Sequence, residues 1–315
     1  MIKWFADYFT YDLLKMTKGT QFADSLNFFV YDVPKIYILL LCVMFVVAII
    51  RSFLPPEKIR QVLSHKKLII GNFLAASLGI FMPFCTCSAV PMFLGMLESG
   101  VPLGVTMSFL IASPMINEIA VVLLWGLFGW KVSVIYVLSG MVIAITAGYV
   151  IGLMKMEGYI QKMSDFSPGG EASVIFTSWS QRLKYAYDYS LDIFRFVWLY
   201  VLIGIGVGAF IHGYVPQELL VRVAGKDNPF AVIIAVILGV PIYANCAGAI
   251  PVIQAMMDKG LQLGTTLAFL MAVTGLSLPE YLILSKVLKP RLLLTYFGVV
   301  AVGIIIVGYF FNWIF

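Results

Sequence analysis

The sequence predicts an all-α polytopic membrane protein built from two inverted repeats. Each repeat is expected to hold three full transmembrane helices and one re-entrant, broken helical hairpin. Three observations predict it. The 315 residues are 61% hydrophobic and only 12% charged, with a mean hydropathy of +0.98. A soluble domain carries about 25% charged residues, so this chain has too little polar surface to cover a globule in water. Its apolar runs are continuous rather than alternating, which selects helices over a barrel. The same passage also occurs twice, 160 residues apart.

Residues 78–112 read LGIFMPFCTCSAVPMFLGMLESGVPLGVTMSFLIA, and residues 238–272 read LGVPIYANCAGAIPVIQAMMDKGLQLGTTLAFLMA. At this fixed offset Leu78, Gly79, Ala89, Pro91, Met96, Gly100, Leu103, Gly104, Thr106, Phe109, Leu110 and Ala112 meet identical partners without a gap. Homologous halves of a membrane chain, broken by Pro, Gly and Cys at corresponding places, point to a transporter whose substrate binds at the breaks.

Residues 1–34 read as interfacial helices, with Trp4, Phe5, Tyr8, Phe9 and Tyr11 suited to the headgroup level. Acidic residues within MIKWFADYFTYDLLKM argue against a cleavable signal peptide. Repeat 1 is expected at 35–154: a span to position 53, a basic loop, a broken apolar segment at 68–98, and spans at 102–125 and 132–154. Residues 155–190 form a polar linker with a Ser-Pro-Gly-Gly turn. Repeat 2 follows at 191–315: a span at 191–212, a broken segment at 228–258, and spans at 262–285 and 292–314. Runs near 20 residues suffice because a helix rises about 1.5 Å per residue against about 30 Å of hydrocarbon.

Lys and Arg concentrate in 51–67, 155–190 and 285–291, and the positive-inside rule makes all three cytoplasmic. The span counts between these loops agree only if each broken segment starts and ends on one side. Each is then a hairpin of two half-helices, and about 15 residues per arm reach roughly 22 Å, near the midplane. The rival reading makes each broken segment one discontinuous span. The net charge of +5 reads as orientation and contact with anionic lipid, not as nucleic-acid binding.

The first tip carries Cys85, Thr86, Cys87 and Ser88 between Pro83 and Pro91. Proline disfavours helix before it, so this stretch need not be helical. In extended backbone, Cys85 and Cys87 would face the same side. The second tip offers Asn245 and Cys246 between Pro241 and Pro251. Three sulfurs suit a soft, thiol-seeking centre: trivalent arsenic or antimony, Cu(I) or another thiophilic metal. Sulfur binds as the thiolate, so binding should depend on pH. The plainer reading is that free Cys is a small buried hydrophobe, which suffices for Cys42 in an unbroken span.

Polar groups at membrane depth are costly and therefore informative. Ser113, Pro114, Asn117 and Glu118 fall late in one span, and Glu280 falls after Ser277-Leu278-Pro279 in the matching one. Glu118 or Glu280 could carry a proton for antiport. The competing reading is a carboxylate that snorkels or caps a broken helix. His65 and His212 lack metal-ligand spacing, Met92, Met96, Met256 and Met257 read as packing, and no resident metal or cofactor is expected. There is no GxxxxGK[ST] loop, so transport is expected to be secondary.

The segments PFCTCSAVP, Pro102-Leu103-Gly104, FLIASPMIN at 109–117, PIYANCAGAIP and FLMA at 269–272 resemble the ArsP-type permease family across about 36–314. Characterised members export trivalent organoarsenicals such as methylarsenite. The resemblance implies Cys85 and Cys87 as ligands, with Ser113, Pro114 and Asn117 as a supporting motif. The second half reads AVTGLSLPE where the family has SP-x-x-N or GP-x-x-N. The expected function is efflux of a small thiol-reactive solute from the prokaryotic cytoplasm, in a non-enzymatic protein whose partners are that solute, the bilayer and, in one arrangement, further copies of itself. Two alternatives stay open: an ion, proton or sulfur-anion permease with incidental cysteines, and a membrane thiol–disulfide oxidoreductase.

Overall fold

A computed structural model describes residues 2–17, 19–52, 68–81, 86–161, 178–214, 228–241, 253–254, 256–257 and 260–315. The described elements are helical: α1 (Ile2–Asp7), α2 (Gln21–Arg51), α3 (Leu68–Phe81), α4 (Thr86–Glu98), α5 (Leu103–Met115), α6 (Glu118–Leu153), α7 (Trp179–Tyr214), α8 (Ala231–Gly239), α9 (Leu263–Gly275), α10 (Leu278–Leu284) and α11 (Pro290–Ile314). Among the described residues, five stretches are long and apolar enough to cross a membrane: Gln21–Val46, Glu118–Leu153, Trp179–Val207, Leu263–Leu284 and Pro290–Ile314.

The first span begins earlier than its hydropathy suggests. Helix α2 starts at Gln21 and carries Pro34 inside it, so the boundary expected at 34/35 falls within one helix. Helix α7 likewise starts at Trp179, inside the segment read as linker. On α2, Ile36, Leu40, Met44 and Ala48 are buried at a spacing of four, the period of a helix face. That face meets α7. The Tyr37 hydroxyl donates to the Trp198 carbonyl at 2.7 Å, Arg182 donates to the Ser52 carbonyl at 2.6 Å, and Gly206 faces the Phe29 ring. As numbers rise on α2 they fall on α7, so the two helices run antiparallel.

Glycine contacts repeat at the offset of 160. A β-carbon added at Gly79 would lie 2.9 Å from the Phe109 carbonyl oxygen, and one at Gly239 would lie 3.2 Å from that of Phe269. Gly104 abuts the Gly148 carbonyl and Gly152, while Gly264 abuts the Gly308 carbonyl and Asn312. Gly100 (φ 85) and Gly260 (φ 93) close the same turn, with Val101 N–H donating to Met96 and Leu261 N–H to Met256. Positive φ costs glycine nothing, and the bond back across it is a helix C-terminal cap.

These contacts fix the direction of the first broken segment. Leu68 and Gly104 both lie against Gly152, and Gly79 lies against Phe109 and Ala112, so α3 and α5 are parallel. Helix α4 ends at Glu98, and the Gly100 turn joins it to α5. Both ends of 68–98 therefore lie at the same end of α5, as a hairpin requires. Val232 and Gly239 give α8 the same sense against α9.

The two hairpin bases lie at opposite ends of α11. The second packs near Asn312. The first packs near Gly152, just before residues 158–161, which clasp the start of α11. In that clasp Gln161 N–H donates to Val287 (2.8 Å), Lys289 N–H donates to Tyr159 (2.8 Å), and the Lys289 ammonium donates to the Gly158 carbonyl (3.0 Å). Residues 158–161 and 287–289 thus share one side.

Candidate transport site

The site is organised by breaks in the third element of each repeat. Helix α5 is buried along its whole length. Pro114, in its last turn, lacks the N–H that would continue the ladder. The chain leaves helix at Ile116 and restarts at Glu118, with Asn117 as N-cap: its side-chain oxygen accepts from Ile119 N–H at 2.8 Å. In repeat 2, α9 ends at Gly275, Leu276 leaves helical geometry, and α10 starts behind Ser277 with Pro279 in its first turn.

Each break sits 13 residues into its element, about 20 Å at 1.5 Å per residue. The breaks touch: a β-carbon added at Gly275 would lie 3.6 Å from Met115 Cβ. The chain then reverses. At Gly129 (φ 82, ψ 169) helix geometry fails inside α6, and the Ser133 hydroxyl donates to the Val121 carbonyl at 2.9 Å across the reversal. Residues 118–128 and 130–153 are thus two antiparallel segments. In repeat 2 the turn at 285–289 does the same work.

The returning helix braces each break with a tyrosine. The fully buried Tyr136 hydroxyl donates to the Met115 carbonyl at 2.8 Å. Tyr296, its counterpart at the offset, is also fully buried and donates to Glu280 Oε1 at 3.1 Å. Glu280 itself is 1% exposed. The second hairpin is tied to this point, since Leu278 N–H donates to the Val240 carbonyl at 2.9 Å, immediately before Pro241. Pro279 seats on Gly204 of α7, and α10 also packs on α4 of the first hairpin.

A match to the description of a predicted permease covers residues 21–313. The chain belongs to the ArsP_1 permease family. Among similar proteins, the UPF0718 protein YcgR of Bacillus subtilis is 23% identical over 91% of this chain and 98% of its own. The UPF0718 protein MJ0584 of Methanocaldococcus jannaschii is 22% identical over 78% and 83%. A Streptococcus mutans protein, 24% identical over 82% of each chain, is provisionally described as a two-component membrane permease complex subunit. No solved structure matches. The protein is a multi-pass membrane permease, which points to a transporter rather than an enzyme.

Of the residues singled out in the permease sequence, Pro83, Cys85, Asn245, Cys246 and Pro251 lie outside the described residues, as do the side chains of Thr86, Cys87 and Ser88. One expectation needs correction. The stretch from Pro83 to Pro91 is not extended throughout: Thr86–Glu98 is helix, and Pro91 lies inside it. Proline is tolerated there at the cost of one bond, because it cannot donate to the Cys87 carbonyl four residues back. Cys87 therefore lies in the first turn of this helix, while Cys85 lies outside the described residues.

Asn117 acts as a cap, and the half-buried Glu118 opens its helix. Ser113 is buried at the end of α5. Cys42 faces outward from α2. Among the described residues, no group of three His, Cys, Asp or Glu side chains is placed to hold a metal ion. Two clefts stand apart from the breaks: one beneath the N-terminal turn at Lys3, Tyr11 and Asp24, the other at the second hairpin base beside Asn228, Gln262 and Asn312.

Sequence reasoning drew 102–125 and 262–285 as single spans, with a capped broken helix at Glu118 or Glu280 only as the competing reading, and missed both bracing tyrosines. The available signal was the offset itself, since Tyr136 and Tyr296 are identical at 160.

Proposed function

We propose that this permease is a secondary exporter of a small thiol-reactive solute, with trivalent organoarsenicals as the leading class. Two inverted repeats bring the hairpin tips to the mid-membrane, where Cys85, Cys87 and Cys246 supply sulfur, flanked by Thr86, Ser88 and Asn245. The observation that carries this reading is the contact between the breaks at Met115 and Gly275, with the second hairpin hydrogen-bonded to its own break through Val240. The antiparallel pairing of α2 with α7 and the hairpin bases at opposite ends of α11 support the inversion. The N-terminus of α4, directly after Cys85, carries the partial positive charge that complements anionic sulfur.

Of the two candidate proton carriers, Glu280 is the better supported, being almost wholly buried where Glu118 is half-buried. A buried carboxylate at membrane depth marks a proton or ion pathway. Alternating access would follow from rocking one repeat against the other about the paired tips. A second membrane subunit is proposed on the description of the Streptococcus mutans relative.

The Glu280–Tyr296 pair favours one second reading, a proton-linked permease for another solute in which the cysteines are incidental. The test is methylarsenite uptake into everted membrane vesicles, comparing the unmodified protein with Cys85→Ser, Cys87→Ser and Cys246→Ser. Thiol-dependent export predicts uptake that all three substitutions abolish. No uptake by correctly inserted protein would remove the arsenical. Uptake that survives all three substitutions would move the site away from the cysteines.

A further inference from the structure

The two repeats brace their breaks with the same tyrosine but not the same bond. Tyr136 donates to the backbone carbonyl of Met115. The carbonyl at the offset of 160 belongs to Gly275, yet Tyr296 donates to the Glu280 side chain. The repeat-1 position matching Glu280 is Ala120. One carboxylate, present in one half only, thus redirects an otherwise repeated hydrogen bond.

A phenol bonded to an ionised carboxylate makes a charge-assisted hydrogen bond, about twice as strong as a neutral one. In surroundings of low dielectric the difference between the two acceptors is amplified. A proton gained by Glu280 turns the strong acceptor into an ordinary one, while the break still offers backbone carbonyls.

We propose that Glu280 and Tyr296 form a protonation-controlled latch on the repeat-2 break. Ionised Glu280 holds the phenol off the break. Protonated Glu280 releases it to the Gly275 carbonyl, and repeat 2 then takes the arrangement that Tyr136 and Met115 hold in repeat 1. The latch rests on the permease reading with Glu280 as proton carrier, and it makes Tyr296 a positioning residue. It has a mechanical output, because Leu278 is bonded to Val240 at the end of α8 and Pro279 is seated on Gly204. Movement of α10 would therefore carry the end of α8 with it.

Among the described residues, the elements packed around Glu280 carry these other titratable groups. On α7, Tyr200 lies one turn before Gly204, with the Lys286 ammonium 5.3 Å from its ring centroid. On α4 there are Cys87 and Glu98, whose side chains lie outside the described residues. Tyr281, on α10 itself, turns outward against Phe297. Helices α8 and α9 carry none.

The test is hydrogen–deuterium exchange of the purified full-length protein in nanodiscs, read on peptides spanning 270–282 at acid and at neutral pH. Variants are compared at matched pH so that intrinsic exchange cancels. The latch predicts that Glu280→Gln equals the unmodified protein at acid pH, departs from it at neutral pH, and keeps the same protection factors at both. It predicts that Tyr296→Phe loses the pH response while Tyr136→Phe keeps it. A pH response that survives either Glu280→Gln or Tyr296→Phe overturns the latch. Should Tyr296→Phe not fold, Glu280→Gln alone decides between these outcomes. No substrate is present, so failure of methylarsenite transport leaves this result standing, and a failed exchange test leaves the thiol-dependent reading to be decided by the cysteine variants.

Discussion

Met115 packs against Gly275, its own counterpart 160 residues later in the chain. Ile143 packs against Gly303 in the same relation, with an added β-carbon at Gly303 only 3.0 Å from Ile143 Cγ2. A residue that touches its own counterpart lies where the two repeats meet. The breaks therefore lie on the seam between the halves, where rocking changes their surroundings most.

The close crossings inside each half should be equally intolerant of volume. Gly104→Val and Gly264→Val are each expected to destabilise by about 1–3 kcal/mol, because backbone atoms face the added carbons. Gly126→Ala and Gly298→Ala, with nothing within 4 Å, should change stability by no more than about 1 kcal/mol. Thermal unfolding followed by size-exclusion fluorescence separates the two classes. Tolerance of valine at Gly264 alone would show that the repeats are not packed alike.

Asn117 caps α6, so Asn117→Ala should cost about 1 kcal/mol and Asn117→Ser should restore most of it. Melting temperature and transport are both measured. A serine variant that is stable but inactive would assign Asn117 a role beyond capping.

Asn72 on α3 is fully buried, and neither atom of its amide has a hydrogen-bond partner among the described residues. Its counterpart is Val232. A buried polar group left unpaired costs about 1–3 kcal/mol, so Asn72→Val should raise stability by an amount in that range. Lower stability on substitution would show that the amide is bonded in the working protein.

Pro102 and Gln262 are counterparts at the two hairpin bases. An impermeant maleimide should label Pro102→Cys in everted vesicles only, and Gln262→Cys in right-side-out vesicles only. Labelling of both from one side would remove the inversion and leave parallel repeats.

Much of this architecture was legible because composition, span length and a gapless repeat are properties of the chain itself. The bounds of the broken segments were readable from the interrupted apolar runs at 68–98 and 228–258. The breaks in the third elements were not, because 13 apolar residues followed by a short polar step still average to one span. Nor were Tyr136 and Tyr296, since a tyrosine in an apolar run reads as packing until its hydroxyl is seen to cross to another segment. The unwound stretch was overestimated at Pro91 because helix packing can absorb one missing backbone donor.

The convergence of Cys85, Cys87 and Cys246 on one centre is read most directly by arsenic X-ray absorption on the purified permease loaded with arsenite, whose three exchangeable positions can take three sulfurs. The account predicts a shell of three sulfur neighbours that falls to two in each single Cys→Ser variant. An oxygen-dominated shell, or a sulfur shell that none of the three substitutions alters, would contradict it.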